Sequence, residues 1–234
     1  LSRVIGGQDT DAAAAEPWPP KSLFTQLHWS LAFIGFLLYI FAVTTYRLPV
    51  GSAGMALALL TLPAERTGLR ISPVVGWAAA LLAWAAIGWT TTDYPSVVEA
   101  ELLDFAKVCA VVLVAVNVIA TRARLRFFLI FFLGLFALYP VRGALITFFL
   151  YGGGGFGRAA WNFVYSNAND LAGFCLLQFS LVAGVAVTER KLWVRWCAAA
   201  GMAVLPLLIV LTGSRGAFIA LLSFVAVAFR KHVT

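Results

Sequence analysis

Apolar residues in this chain run in long uncharged stretches separated by short charged punctuation, a pattern that predicts helices rather than strands. The uncharged stretches are 22–46, 48–64, 71–92, 105–121 (with Lys107 inside), 127–157 (broken by Arg142), 171–188, 196–214 and 216–229. A bilayer-crossing helix needs about 20 predominantly apolar residues. The pattern therefore predicts an all-α, polytopic integral membrane bundle of about eight transmembrane helices. The second stretch, interrupted by Pro49, Gly51, Gly54 and Pro63, and the last, with 14 residues, are the weakest.

Charge placement gives this bundle a direction. With the N-terminus inside and the sides alternating, Arg3, Lys21, Arg66, Arg70, Arg122, Arg124, Arg126, Arg190, Lys191, Arg195, Arg230 and Lys231 fall on one face. Arg47, Lys107, Arg142, Arg158 and Arg215 fall on the other. Twelve against five is the asymmetry of a positive cytoplasmic side. Both termini are expected in the cytoplasm. The organisation expected is a polar or interfacial tail over 1–26, a transmembrane domain over 27–230 and a cytoplasmic end over 231–234.

Composition narrows the class. Of the residues, 62% are hydrophobic and 12% charged, with a mean hydropathy of +0.93. A soluble domain carries roughly 45–50% apolar and about 25% charged residues. A water-soluble globule is excluded. Three cysteines make no disulfide framework, and Cys109, Cys175 and Cys197 read as small buried hydrophobes inside apolar spans. The net charge of +7 is scattered between apolar runs, so nucleic acid is not an expected partner. The opening Leu1 is expected to reflect processing, cutting or a different start.

The outer face is poor in charge, so what collects there is informative. An outer loop is expected to hold Asp93, Tyr94, Glu99, Glu101 and Asp104, with Lys107 one turn into the next helix and able to pair with Asp104. Arg142 sits in Tyr139-Pro-Val-Arg-Gly-Ala within an apolar stretch. An arginine there costs at least roughly 2.5–3.5 kcal/mol to insert and therefore faces a cavity or a partner. Its bland role is an ion pair with an outer-loop acid.

A glycine run, Gly152 to Gly155, leads to Gly157-Arg158, and then to Trp161-Asn-Phe-Val-Tyr-Ser-Asn-Ala-Asn-Asp170. No Gly-Lys-[Ser/Thr] follows, which rejects a nucleotide P-loop. The glycines suit a flexible loop or close backbone approach to a ligand. Asn167, Asn169 and Asp170 stand where a helix begins, and their ordinary role is capping and charge at a helix N-terminus. Leu211-Thr-Gly-Ser-Arg-Gly-Ala217 puts Ser214 and Arg215 at another outer turn. Arg142, Arg158 and Arg215 thus reach one side, and guanidinium forks suit phosphate oxygens. His28 and His232 lie at the opposite boundary without metal-ligand spacing, and no metal is expected. Trp18, Trp29, Trp89, Trp161, Trp193 and Trp196 lie near boundaries, as an interfacial belt requires.

Gly157-Arg158, Asn167-Ala-Asn169-Asp-Leu-Ala172 and Thr212-Gly-Ser-Arg215-Gly-Ala217, in this order, resemble the O-antigen ligase and polymerase superfamily over roughly residues 25–230. Within it the wording of Trp161–Asp170 is most similar to O-antigen-ligase-like O-glycosylation ligases. The resemblance implies a multi-pass protein of the bacterial inner membrane that moves a glycan from a polyprenyl-pyrophosphate carrier to an acceptor. It implies inverting chemistry without metal, nucleotide sugar or other cofactor. Arg158 and Arg215 match the motif arginines that hold the pyrophosphate, and Arg142 matches by its place on the preceding helix. Asn167, Asn169, Asp170 and Ser214 would support them.

Two departures qualify the resemblance. Asn167-Ala168-Asn169 stands where members often read Asn-Pro-Asn. Members also continue into a large outer loop with a histidine that activates the acceptor, whereas this sequence ends at Thr234. The expectation is a portion of a longer ligase or a degenerate member, and no catalytic base is assigned. Two alternatives accompany it: a non-catalytic membrane subunit packing against partner subunits, and a transporter that binds polyprenyl phosphate or membrane lipid.

Overall fold

The computed structural model describes residues 28–46, 48–65, 69–154 and 157–233. The tail expected over 1–26 lies outside the described residues, as do Gly155 and Phe156 of the glycine run. All the regular structure described is helical: α1 (Leu31–Thr44), α2 (Val50–Thr61), α3 (Pro73–Trp89), α4 (Pro95–Val118), α5 (Arg122–Phe136), α6 (Arg142–Tyr151), α7 (Ala168–Thr188), α8 (Leu192–Leu211) and α9 (Arg215–Val233). A π-helical turn over Ala137–Val141, holding Pro140, joins α5 to α6 into one continuous 30-residue rod. Proline removes a backbone donor and crowds the preceding turn, and the wider π turn absorbs both.

Among the described residues three helices are long and apolar enough to cross a membrane: Arg122–Tyr151, Ala168–Thr188 and Leu192–Leu211. Leu31–Thr44, Val50–Ala64, Pro73–Trp89 and Arg215–Ala228 are apolar but shorter. Each uncharged stretch of the sequence holds a helix, with revised edges. Within the described part of the expected first span the helix runs 14 residues, started where the Ser30 hydroxyl accepts the Phe33 N–H. The acidic outer loop is also corrected. Glu99, Glu101 and Asp104 lie within α4, which begins at Pro95 because proline suits a first helical turn, where its missing N–H is no loss. The Asp104–Lys107 pair forms at 2.6 Å on an exposed surface.

Packing divides into two cores that share α5. One gathers Phe33, Phe36, Ala58, Val114 and Val118 from α1, α2 and α4 against Phe127, Phe128 and Phe131. The other gathers Phe136, Leu171, Cys175, Leu205, Leu208 and Ile209, mainly from α7 and α8. The α1–α2 hairpin is close because it is built on glycine. A Cβ on Gly54 would lie 2.8 Å from the Gly35 carbonyl oxygen, so backbones touch as they do in membrane helix pairs. α3 lies beside α4, none of its residues is buried, and Trp77 and Trp84 are exposed. Lipid tails can cover such a surface, whereas water would not.

Candidate functional site

Gly152–Gly154 and the segment from Gly157 onward approach each other closely at one end of the bundle. Gly152 ends α6 in the left-handed region, and Gly153 follows at φ 85°. A Cβ on Gly153 would meet the Gly157 carbonyl carbon at 2.8 Å. The Gly154 N–H donates to the Arg158 carbonyl at 2.8 Å. Close approach is indeed what these glycines permit, but the partner is their own chain.

Arg158 is then fastened from two directions. Its Nε donates to the Thr212 carbonyl at 2.6 Å, and its Nη2 donates to Asn169 Oδ1 at 2.7 Å. The neighbouring Ala159 N–H donates to the Leu211 carbonyl at 2.9 Å. The motifs around 158, 169 and 212, far apart in sequence, are therefore one cluster. Thr212 is fully buried, and its hydroxyl is committed to the Ile209 carbonyl at 2.6 Å. A guanidinium has five N–H donors; two are used here, and no carboxylate among the described residues answers the charge.

The other predicted residues separate by role. Asn167 caps α7, its Oδ1 accepting the Asn169 N–H at 2.9 Å, so the ordinary reading holds for it. Asp170 is exposed in the first turn of α7, where the helix dipole favours it. Ser214 donates its backbone N–H to the Thr212 hydroxyl at 3.3 Å. Arg215 opens α9 next to this turn and is exposed. Arg142 opens α6 directly after the π turn, also exposed. Neither side chain makes an ion pair or hydrogen bond among the described residues, so the outer-loop ion pair considered for Arg142 does not form.

Aromatic rings brace this end. Trp161 stacks on Tyr165 and meets Tyr46 edge-on, and Tyr46 in turn meets Tyr139 of the π turn. Gly143, beside Arg142, makes room for the Trp161 indole, which any Cβ there would strike. Phe163 holds a φ of 55°, uncommon for a bulky residue and a local strain of about 1–3 kcal/mol. It lies in the short 3-10 turn Phe163–Tyr165 between the Arg158 and Asn167 segments.

Arg124 and Arg126, two of the twelve basic residues assigned to the cytoplasmic face by the charge split, are buried. Arg124 donates to the His28 carbonyl at 3.0 and 2.8 Å, to Glu65 at 3.2 Å, to the Val118 carbonyl at 3.0 Å and to the Ser30 hydroxyl at 3.1 Å. Arg126 grips Glu189 with both prongs, at 2.9 and 2.7 Å. The Arg190 and Lys191 N–H groups also donate to Glu189. Burial pushes this carboxyl upward, but the Arg126 bonds and the two N–H groups outweigh it and hold it below the usual carboxylate range. The sequence signal was available: Glu65 and Glu189 are the acids nearest the basic clusters that alternation brings to that end.

The cysteines are corrected in part. Cys175 is buried, Cys109 half-buried and Cys197 exposed. Cys197 lines a cavity of about 510 Å³ between α5, α7 and α8, whose wall includes Gln178. Gln178 is fully buried, and neither its Nε2 nor its Oε1 has a partner among the described residues. An unmade hydrogen bond on a buried group costs about 1–3 kcal/mol. Among the described residues no cluster of histidine, cysteine or acid could hold a metal. Compared with family models, with curated proteins and with solved structures, the chain finds no match.

Proposed function

We propose that the Arg158 cluster binds the pyrophosphate of a polyprenyl-pyrophosphate-linked glycan, and that the chain belongs to an extracytoplasmic glycan ligase or polymerase of the bacterial inner membrane. The observation that carries this reading is a guanidinium positioned by Thr212 and Asn169 while, among the described residues, three of its five donors stay available and no acid neutralises it. Arg142 and Arg215, likewise without acidic partners, add charge from the starts of α6 and α9. Charge on a departing pyrophosphate is what such a site would stabilise, by electrostatics alone. The proposed bundle has about eight spans with both termini inside, and rests on the twelve-to-five charge split. Labelling of Gly154→Cys in intact cells by an impermeant thiol reagent is the expected result; labelling only after lysis would invert the orientation.

The decisive experiment is binding of a polyprenyl-pyrophosphate analogue. Each charge-assisted contact contributes about 1.5–3 kcal/mol, so Arg158→Ala and Arg215→Ala should each weaken binding by about tenfold or more. Lysine should restore part of it, since a point charge lacks the planar fork. Unchanged affinity in both folded variants would overturn the donor-site reading.

A second reading, binding or transport of polyprenyl phosphate without bond chemistry, is favoured by the position of His28. It lies at the Arg124 end of the bundle, away from the cluster, and so supplies no base to an acceptor.

A further inference from the structure

We propose that the turn joining α7 to α8 binds an anionic phospholipid, its phosphate held by Arg190, Lys191 and Arg195 beside the indoles of Trp193 and Trp196. Within residues 171–234 Glu189 is the one acid, and both of its oxygens are committed. Oε2 accepts Arg126 Nε, and Oε1 accepts Arg126 Nη2 together with the Arg190 and Lys191 backbone N–H groups. The carboxylate is therefore turned inward and neutralised there. Arg190, Lys191 and Arg195 are exposed, and their side chains make no hydrogen bond or ion pair among the described residues. Three full positive charges are left on one short turn.

The place of that turn selects the partner. α8 has 20 apolar-rich residues, about 30 Å of helix, which matches the hydrocarbon thickness of a bilayer. Its first turn then lies at the level of lipid headgroups. Arg195 follows Lys191 by one turn, its N–H donating to the Lys191 carbonyl at 3.1 Å, so the two cations rise from the same side of the helix. Trp193 and Trp196, also one turn apart, are 62% and 70% exposed, and indoles favour this depth. An acidic protein segment would answer the charges but leave the tryptophans in water; an anionic lipid answers both. A zwitterionic headgroup brings its own ammonium beside the phosphate, which these cations repel. The turn is at the opposite end of α8 from Thr212, so the site is distinct from the Arg158 cluster and stands whether or not the pyrophosphate reading does.

The test places the full chain in phosphatidylcholine vesicles that carry, as a minor component, phosphatidylglycerol or phosphatidylcholine with brominated acyl chains, which quench indole fluorescence on contact. The signal of Trp193 and Trp196 is the difference between the wild-type chain and Trp193→Phe with Trp196→Phe, both at exposed positions. Brominated phosphatidylglycerol should reach the quenching of brominated phosphatidylcholine at about a tenth of its mole fraction or less, because each cation near the surface favours anionic lipid about fivefold. Arg190→Gln with Lys191→Gln and Arg195→Gln should bring the two lipids to parity. The backbone N–H groups that bind Glu189 remain in that variant. Arg190→Lys with Arg195→Lys should keep the preference, which a loss of fold would not. Excess inorganic phosphate should leave it unchanged. Equal quenching by the two lipids in the wild-type chain, a preference that survives the triple neutralisation or is lost in the lysine variant, or displacement by inorganic phosphate would each overturn the proposal.

Discussion

The two ends of the bundle treat arginine in opposite ways. At one end Arg124 and Arg126 are 5% and 3% exposed, and each meets a buried glutamate from a distant part of the chain. Arg124 joins the start of α1, the end of α2 and the end of α4; Arg126 joins α5 to the end of α7. At the other end Arg158 is held by a carbonyl and an amide, and Arg142 and Arg215 meet no acid among the described residues. A buried ion pair is satisfied within the protein and fixes helix ends. An arginine positioned by neutral oxygens keeps its charge for something else. The first arrangement is architecture, and the second is the one on which the proposed pyrophosphate site rests.

This contrast can be broken experimentally, beginning with the architectural end. Arg126→Met should destabilise the protein most, by about 3–5 kcal/mol, because Glu189 is left buried without its cation. Thermal unfolding in detergent measures this, and the paired change Arg126→Met with Glu189→Leu should recover most of the loss. By contrast, Arg158→Ala should cost less, about 1–3 kcal/mol of stability, because the buried Thr212 carbonyl loses its donor while the exposed contact with Asn169 adds little, and it should show its distinctive effect in ligand affinity. Equal stability losses at both ends would erase the distinction.

The Arg126–Glu189 pair also carries a pH signature. The folded-state carboxyl titrates below its unfolded value of about 4.3, so its stabilisation is complete at neutral pH. It disappears as pH falls from that value through the depressed one. The stability gap between the wild-type chain and Glu189→Gln should therefore close on acidification below about pH 4. A gap that stays constant across that window would show that the pair is not ionised as described.

A smaller effect is expected at the ligand end from Gly143→Ala. The added methyl must displace the Trp161 indole, a packing insult of about 1–3 kcal/mol. Trp161 lies three residues from Arg158, so pyrophosphate affinity should fall severalfold along with the unfolding temperature. A displaced Trp161 fluorescence signal with unchanged affinity would separate the aromatic brace from the arginine cluster.

Much of this protein was legible in its residue order, because the cost of exposing backbone or charge to hydrocarbon is local and can be counted along a chain. The positions of the helices and the capping of α7 by Asn167 follow from such local rules. So does the alternation that sends Arg142, Arg158 and Arg215 to one end and Arg124 and Arg126 to the other. Alternation is silent on partners. It could not distinguish Arg124, buried against Glu65 across 59 residues, from Arg215, exposed at the start of α9. It placed Glu99 and Glu101 in a loop because charge counts as punctuation in a sequence, whereas on an exposed helix face it costs little. Nor could it mark Gln178 as unpaired, since that depends on the shape left between α5, α7 and α8. Hydropathy and helix signals act between neighbours in the chain and were decided there; ion pairing, cavity shape and hydrogen-bond satisfaction act between distant segments, and only the tertiary structure decided them.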